Sequence, residues 1–204
     1  MNEKVIWDYL LEKIGNKYGV AAVMGNLMAE SSLNPRCVTG TSDKDYTERA
    51  DTGVIDFARD ARAYGLVQWC YHTRKEGLLA YAKNTGRSVG HLQMQLEYLV
   101  KEMSESYKTA WKTVQSTNSI RTASDIVMLQ YEKPATTTEA AKQKRAKYGQ
   151  QFYDQFSGEK RVVATDNVRI RAGNGKNYGQ VSALRKGQSL VWVATVDGWH
   201  AVAM

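Results

Sequence analysis

Apolar residues recur with two different periods along the chain, and the change falls near residue 157. Before it the spacing is helical. Val5, Ile6, Tyr9, Leu10 and Ile14 share one face of a first helix that Asn2 can cap and Gly15 can end. Val20 to Ser32 reads as a second helix, closed by Asn34-Pro35 because a residue before proline avoids the α region. Cys37 to Thr52 is polar and charged, as a surface loop would be, and Asp56 to Tyr64 fits a short helix. The strongest amphipathic pattern starts at Ser88, where Leu92, Leu96, Leu99, Val100, Met103 and Tyr107 keep the helical spacing. Ser124 can cap a short helix through Ile126, Val127 and Leu129 that ends before Pro134. Thr136-x-x-Glu139 then has the form of a capping box that opens a helix running to Phe156.

After Ser157-Gly158-Glu159-Lys160 the alternation becomes that of strands. Arg161-Val162-Val163, Asn167 to Ile170, Gln188 to Val193 and Gly198 to Val202 are short β candidates, with Gly173-Asn174-Gly175 and Lys186-Gly187 as turns. The expected fold class is α+β in two domains. A mainly α-helical domain spans residues 1–157, a linker 158–161, and a small all-β module 162–204.

Composition narrows the class of protein. Of 204 residues, 43% are hydrophobic and 24% charged, which excludes wholesale disorder. The most apolar run, Gly19 to Ala29, is interrupted by Gly25-Asn26 and is too short to span a bilayer. Glu3, Lys4, Asp8, Glu12 and Lys13 fall where a secretory signal would need an apolar core, so a soluble protein made in the cytoplasm is expected. The formal net charge of +7 favours polyanionic partners such as nucleic acid, anionic lipid or a teichoic-acid-bearing wall. Residues 158–204 hold seven basic and three acidic side chains, the more basic part for its length. Two cysteines, Cys37 and Cys70, make no disulfide framework, and His72, His91 and His200 lack ligand spacing. Neither a metal nor another cofactor is expected.

One acid stands out. On a helical wheel Glu30 lies about 20° from Val23, at the margin of the apolar arc formed with Leu27, Val20 and Met24. Desolvation there would disfavour the charged carboxylate and suit a general acid. A glutamate hanging over that edge into water is the plainer alternative.

The surrounding residues decide between them. Ala22-Val23-Met24-Gly25-Asn26-Leu27-Met28-Ala29-Glu30-Ser31-Ser32-Leu33-Asn34-Pro35 resembles the catalytic helix of the phage tail lysozyme family, within the goose-type lysozyme and lytic transglycosylase group. Tyr64-Gly65-Leu66-Val67-Gln68-Trp69 with Arg74, then Tyr131-Glu132-Lys133-Pro134, and a closing helix from Arg145 to Phe156, follow in the family's order over residues 1–156. The resemblance implies a lysozyme-like domain with a glycan-binding cleft. It assigns Glu30 the catalytic acid that protonates the glycosidic oxygen between N-acetylmuramic acid and N-acetylglucosamine. It places Ser31, Gln68, Trp69, Tyr131 and Glu132 along the cleft as substrate-binding residues, although core packing for Trp69 and an ordinary helix end for Tyr131 and Glu132 are the bland alternatives.

A hydrolase normally needs a second carboxylate. The stretch holding Asp43, Asp45, Glu48, Asp51, Asp56 and Asp60 offers candidates, of which Asp51 and Asp56, flanking Thr52-Gly53, are preferred. Without one, the muramic acid's own hydroxyl would attack and give the 1,6-anhydro product of a lytic transglycosylase. The β module resembles a bacterial SH3 domain through Asn167 to Gly175, Tyr178, Leu184-x-Lys186-Gly187 and Gly198-Trp199. That likeness implies wall binding. Relatives continue for a further strand or two, so the expectation is either a truncated chain or an incomplete barrel.

Three other readings compete. A wall amidase or endopeptidase could use Cys70 with His91 or His200, against a buried structural Cys70 and a surface His91. A nucleic-acid binder would need more than Lys142, Lys144, Arg145 and Lys147, which read as a solvated helix face. An inactive tail or wall-binding protein would not need both Glu30 and Gln68-Trp69. The expectation is therefore an endolysin-like muramidase whose partner is bacterial peptidoglycan. It would be monomeric, without nucleic acid or membrane insertion, and would reach the wall through a phage pore or within a phage or transfer apparatus.

Overall fold

The structure, a computed structural model, describes residues 2–40, 44–158 and 161–204, so Asp43 lies outside the described residues. The chain divides into two compact units, residues 1–153 and 154–204. The first is built from helices α1 (Asn2–Ile14), α2 (Lys17–Ser31), α3 (Tyr46–Asp51), α4 (His72–Asn84), α5 (Leu92–Ser106), α6 (Lys108–Ser116) and α7 (Ile120–Ile126). A π-helical segment (Val127–Glu132) continues α7, and α8 (Glu139–Phe156) follows and runs across the boundary between the units.

Helix α2 is the centre of the first unit. Gly19 to Leu27 are buried on every side, so the expected one-sided arc does not exist. The helix starts earlier than the apolar pattern suggests because the Asn16 side chain caps the amides of Tyr18 and Gly19. It stops before Pro35 because Ser32 and Leu33 both turn left-handed, at φ 53° and 59°. Asn26, fully buried, donates to the Ala22 and Ser124 carbonyls and the Ser124 hydroxyl, tying α2 to α7. Gly25 and Gly149 let α8 cross α2 closely: a Cβ on Gly25 would fall on the Arg145 carbonyl oxygen, and one on Gly149 would lie 2.8 Å from the Ala21 carbonyl.

Other elements differ from the sequence reading for local reasons. Helix α1 buries Ile6, Trp7, Leu10 and Ile14 while Val5 is exposed, since Trp7 rather than Val5 completes the inward stripe. The expected loop after Cys37 contains α3, whose Tyr46, Thr47 and Ala50 are buried. Asp56 to Tyr64 forms turns instead of a helix. Helix α5 begins at Leu92, where His91 Nδ1 accepts from the Met94 amide, and Ser88 belongs to the preceding turn. Ser119 caps α7 and Ser124 is buried inside it. Thr138, not Thr136, accepts the Ala141 amide at the start of α8.

The second unit holds two antiparallel sheets. One has the order β1 (Arg161–Val163), β4 (Ser189–Val196), β5 (Trp199–Ala203); the other pairs β2 (Val168–Arg171) with β3 (Gln180–Leu184). Strand β3 was not among the expected strands. The α+β class stands, with helices first and small sheets after. Among the described residues, no helix is long and apolar enough to cross a membrane.

Candidate active site

Glu30 sits in the last turn of α2, with a side chain 17% exposed. A charged partner, which the helical wheel did not foresee, faces it. Arg145 on α8, 9% exposed, donates from Nη2 to Glu30 Oε1 at 2.7 Å. The close crossing at Gly25 and Gly149 brings that turn of α8 against α2. The sequence reading of Arg145 as part of a solvated face is thus wrong. The buried stripe of α8 is Arg145, Gly149, Phe152 and Tyr153, and a charged residue at apolar spacing was the signal available.

Glu132 brings a second carboxyl to this place. It ends the π-helical segment, in which the Lys133 amide bonds the Met128 carbonyl five residues back and Lys133 turns left-handed at φ 51°. Both Glu132 carboxylate oxygens are buried with no hydrogen-bond partner, as are Nε and Nη1 of Arg145. Burial first, then the Glu30 charge, push the Glu132 carboxyl well above the ordinary range, against the pull of Arg74 and Arg145. Burial and the Glu30 charge thus favour the protonated form of Glu132, beside the arginine-paired Glu30.

Behind these groups lies a second, completed cluster. Glu102 on α5, 8% exposed, accepts from Arg74 Nε and Nη2 at 2.7 Å each, from the Tyr131 hydroxyl at 2.8 Å and from Trp69 Nε1 at 3.0 Å. Arg74 also reaches the Tyr131 carbonyl and stacks over that ring at 4.8 Å. Trp69 and Tyr131, 0% and 1% exposed, are core residues. Neither ring presents an exposed face for sugar stacking.

The remaining candidates fall into two groups. Ser31 is buried and donates to the Leu27 and Leu66 carbonyls, pinning the end of α2 to the Tyr64–Trp69 turn. Gln68, left-handed at φ 53°, donates to the Cys37 and Gly65 carbonyls and accepts from Thr39. Buried Gln95, which sequence reasoning missed along with Glu102, accepts the Leu66 amide and donates to the Pro35 and Val89 carbonyls. By contrast, Asp51 is exposed on α3 and accepts the Val89 amide, and exposed Asp56 accepts the Arg59 amide. Among the described residues, no hydrogen bond or ion pair links either of these two to Glu30.

Cys70 is exposed rather than buried, and lines a shallow depression with Ala58, Arg59, Ala61, Tyr71 and His72. His91 is exposed, as expected. Among the described residues no three or more of His, Cys, Asp and Glu gather where they could hold a metal ion.

Residues 1–156 match the phage tail lysozyme family. The chain is also similar to Morphogenesis protein 1 of Bacillus phage B103, at 24% identity over 157 residues, a match covering 72% of this chain and 38% of that protein. The chain thus spans well under half of that relative.

Proposed function

Because this chain belongs to the phage tail lysozyme family, whose lysozyme-like enzymes act on peptidoglycan, we propose that its helical unit cleaves the β-1,4 bond between N-acetylmuramic acid and N-acetylglucosamine. Glu30 is the general acid that protonates the departing oxygen. The observation that carries this reading is a partly exposed Glu30 at the end of the central helix whose charge acts on a second, buried carboxyl, that of Glu132. Two carboxyls in different environments are the usual equipment for breaking a glycosidic bond. Ser31, Gln68, Trp69 and Tyr131 serve the reaction by fixing the backbone around Glu30 and Glu132 rather than by holding sugar.

A lytic transglycosylase is the second reading, favoured by the engagement of Asp51 with the Val89 amide and of Asp56 with the Arg59 amide. Capture by the muramic acid hydroxyl then replaces capture by water, and Glu30 acts first as acid and then as base. The β unit is a wall-binding module of the bacterial SH3 kind; its excess of basic residues suits a polyanionic wall. The family's tail association and a relative called a morphogenesis protein favour local wall opening by a virion part over a free endolysin.

Mass spectrometry of muropeptides from purified walls tests this, with Glu30→Gln as control. Reducing muramic acid ends that vanish in the control mark a muramidase, and anhydro ends that vanish mark a transglycosylase. Intact glycans with cut peptides, unaffected by the control, would overturn the glycosidase reading.

A further inference from the structure

Glu132 is the second carboxyl of the site, and the reaction above assigns it no step of its own. Its two carboxylate oxygens are buried and unpartnered, a condition heavily penalised for a charged group and mild for a neutral one. The charged and titratable groups acting on it come from four helices and its own segment: Glu30 on α2, Arg74 on α4, Glu102 on α5, Arg145 on α8, and Tyr131 beside it. These are not equivalent. Arg74 is committed to Glu102 and the Tyr131 carbonyl. Arg145 uses only Nη2, on Glu30, and keeps Nε and Nη1 buried and free.

We infer that Glu30 and Glu132 share one proton, which Glu132 holds at rest and passes to Glu30 for catalysis, while the free N–H groups of Arg145 receive the carboxylate left behind. The inference rests on the glycosidase reading. It resolves a conflict within the site, because a Glu30 engaged by arginine has an ion partner but needs a proton to act as an acid.

In the transfer the O–H bond of Glu132 breaks and its proton joins a Glu30 carboxylate oxygen, directly or through one water. The charge moves from Glu30 to Glu132, so the trio with Arg145 keeps its net charge, and Arg145 exchanges one carboxylate partner for the other. Glu30 then gives the proton to the glycosidic oxygen as the C1–O bond breaks. The attacking hydroxyl, of water or of the sugar, returns a proton to Glu30, and the pair re-equilibrates to its resting form. The upward displacement of the Glu132 carboxyl agrees with this order. Glu132 acts through Glu30, and is a positioning residue in that sense.

The test is the pH profile of glycan cleavage by the whole chain as wild type, Glu30→Gln and Glu132→Gln. Glutamine at 132 keeps the shape and neutrality but holds no proton. The expected result is a fall in kcat at pH 7 of roughly ten- to a hundredfold, with KM unchanged. The alkaline limb should move to lower pH, so that activity returns in part in acid. A Glu132→Gln protein with the wild-type profile, or one depressed equally at every pH, overturns the inference while active wild type and inactive Glu30→Gln leave the glycosidase reading standing. Should the variant not fold, the carboxyl carbon signal of Glu132 in the wild-type protein decides by NMR. A neutral carboxyl at pH 7 is expected, and an ionised one overturns the inference.

Discussion

The helical unit buries charge in two ways. At Glu102 and at Lys75 every ion has its partners. Lys75, fully buried, donates to Asp60 at 2.5 Å and to the Arg62 carbonyl at 2.8 Å, and Tyr46 donates to the other Asp60 oxygen. At Glu30 the same kinds of residue meet with two carboxylate oxygens and two guanidinium nitrogens left over. A satisfied buried pair is fixed, because removing either member strands the other. An unsatisfied one has spare donors and acceptors, which lets a proton or a ligand change its state. The difference separates groups that hold the fold from groups that work.

That contrast can be broken most forcefully at Glu102. Glu102→Ala leaves Arg74, Trp69 and the Tyr131 hydroxyl without their acceptor, and should cost about 3–5 kcal/mol in urea unfolding. Lys75→Met strands Asp60, which keeps Tyr46 and some water, so a smaller loss of about 1.5–3 kcal/mol is expected. Acid titration sharpens the same point. Burial would raise the Asp60 carboxyl, but hydrogen bonds from Lys75 and Tyr46, the Arg62 amide and the Lys75 charge hold it below the usual range. A depressed folded-state value stabilises above the unfolded value and is lost as pH falls through the folded one. The wild type should therefore weaken in acid over a window that Lys75→Met narrows, as thermal melts against pH would show. Glu132→Gln, at the unsatisfied site, should change stability by less than about 1 kcal/mol. A larger loss there would erase the distinction between the clusters. Cys70→Ser, on an exposed thiol, should leave stability within about 0.5 kcal/mol and glycan cleavage intact.

The legible parts of the sequence were those where one face meets water. The amphipathic pattern of α5 found Leu96, Leu99 and Met103, all buried. Helix α2 misled the wheel because it is enclosed all round, and the position of Glu30 followed from motif rather than periodicity. Four of the five strands were found as short runs and β3 was missed, and the faces of the strands were not legible. In the second unit Ala164 is the one residue of the buried hydrophobic core among the described residues, so no strong alternation had to be written into it. Arg145, Glu102 and Gln95 escaped because their burial depends on partners distant in sequence, which no local pattern records. Asp51 and Asp56 were chosen for nearness to a glycine turn, and the structure gives both of them backbone amides as partners, Val89 for Asp51 and Arg59 for Asp56.

The π-helical segment makes the site sensitive to chain length as well as to residue type. Each residue added to or taken from a helix turns everything beyond it by about 100°. Deleting exposed Leu129, a residue that makes no contribution to the core, would let Val127–Glu132 relax towards ordinary α geometry and swing Tyr131 and Glu132 off their bearings. Glu30, Arg145, Glu102 and Glu132 would all still be present, yet out of phase with one another. In this fold an insertion or deletion at a surface position can silence chemistry that a conservative substitution there would leave untouched.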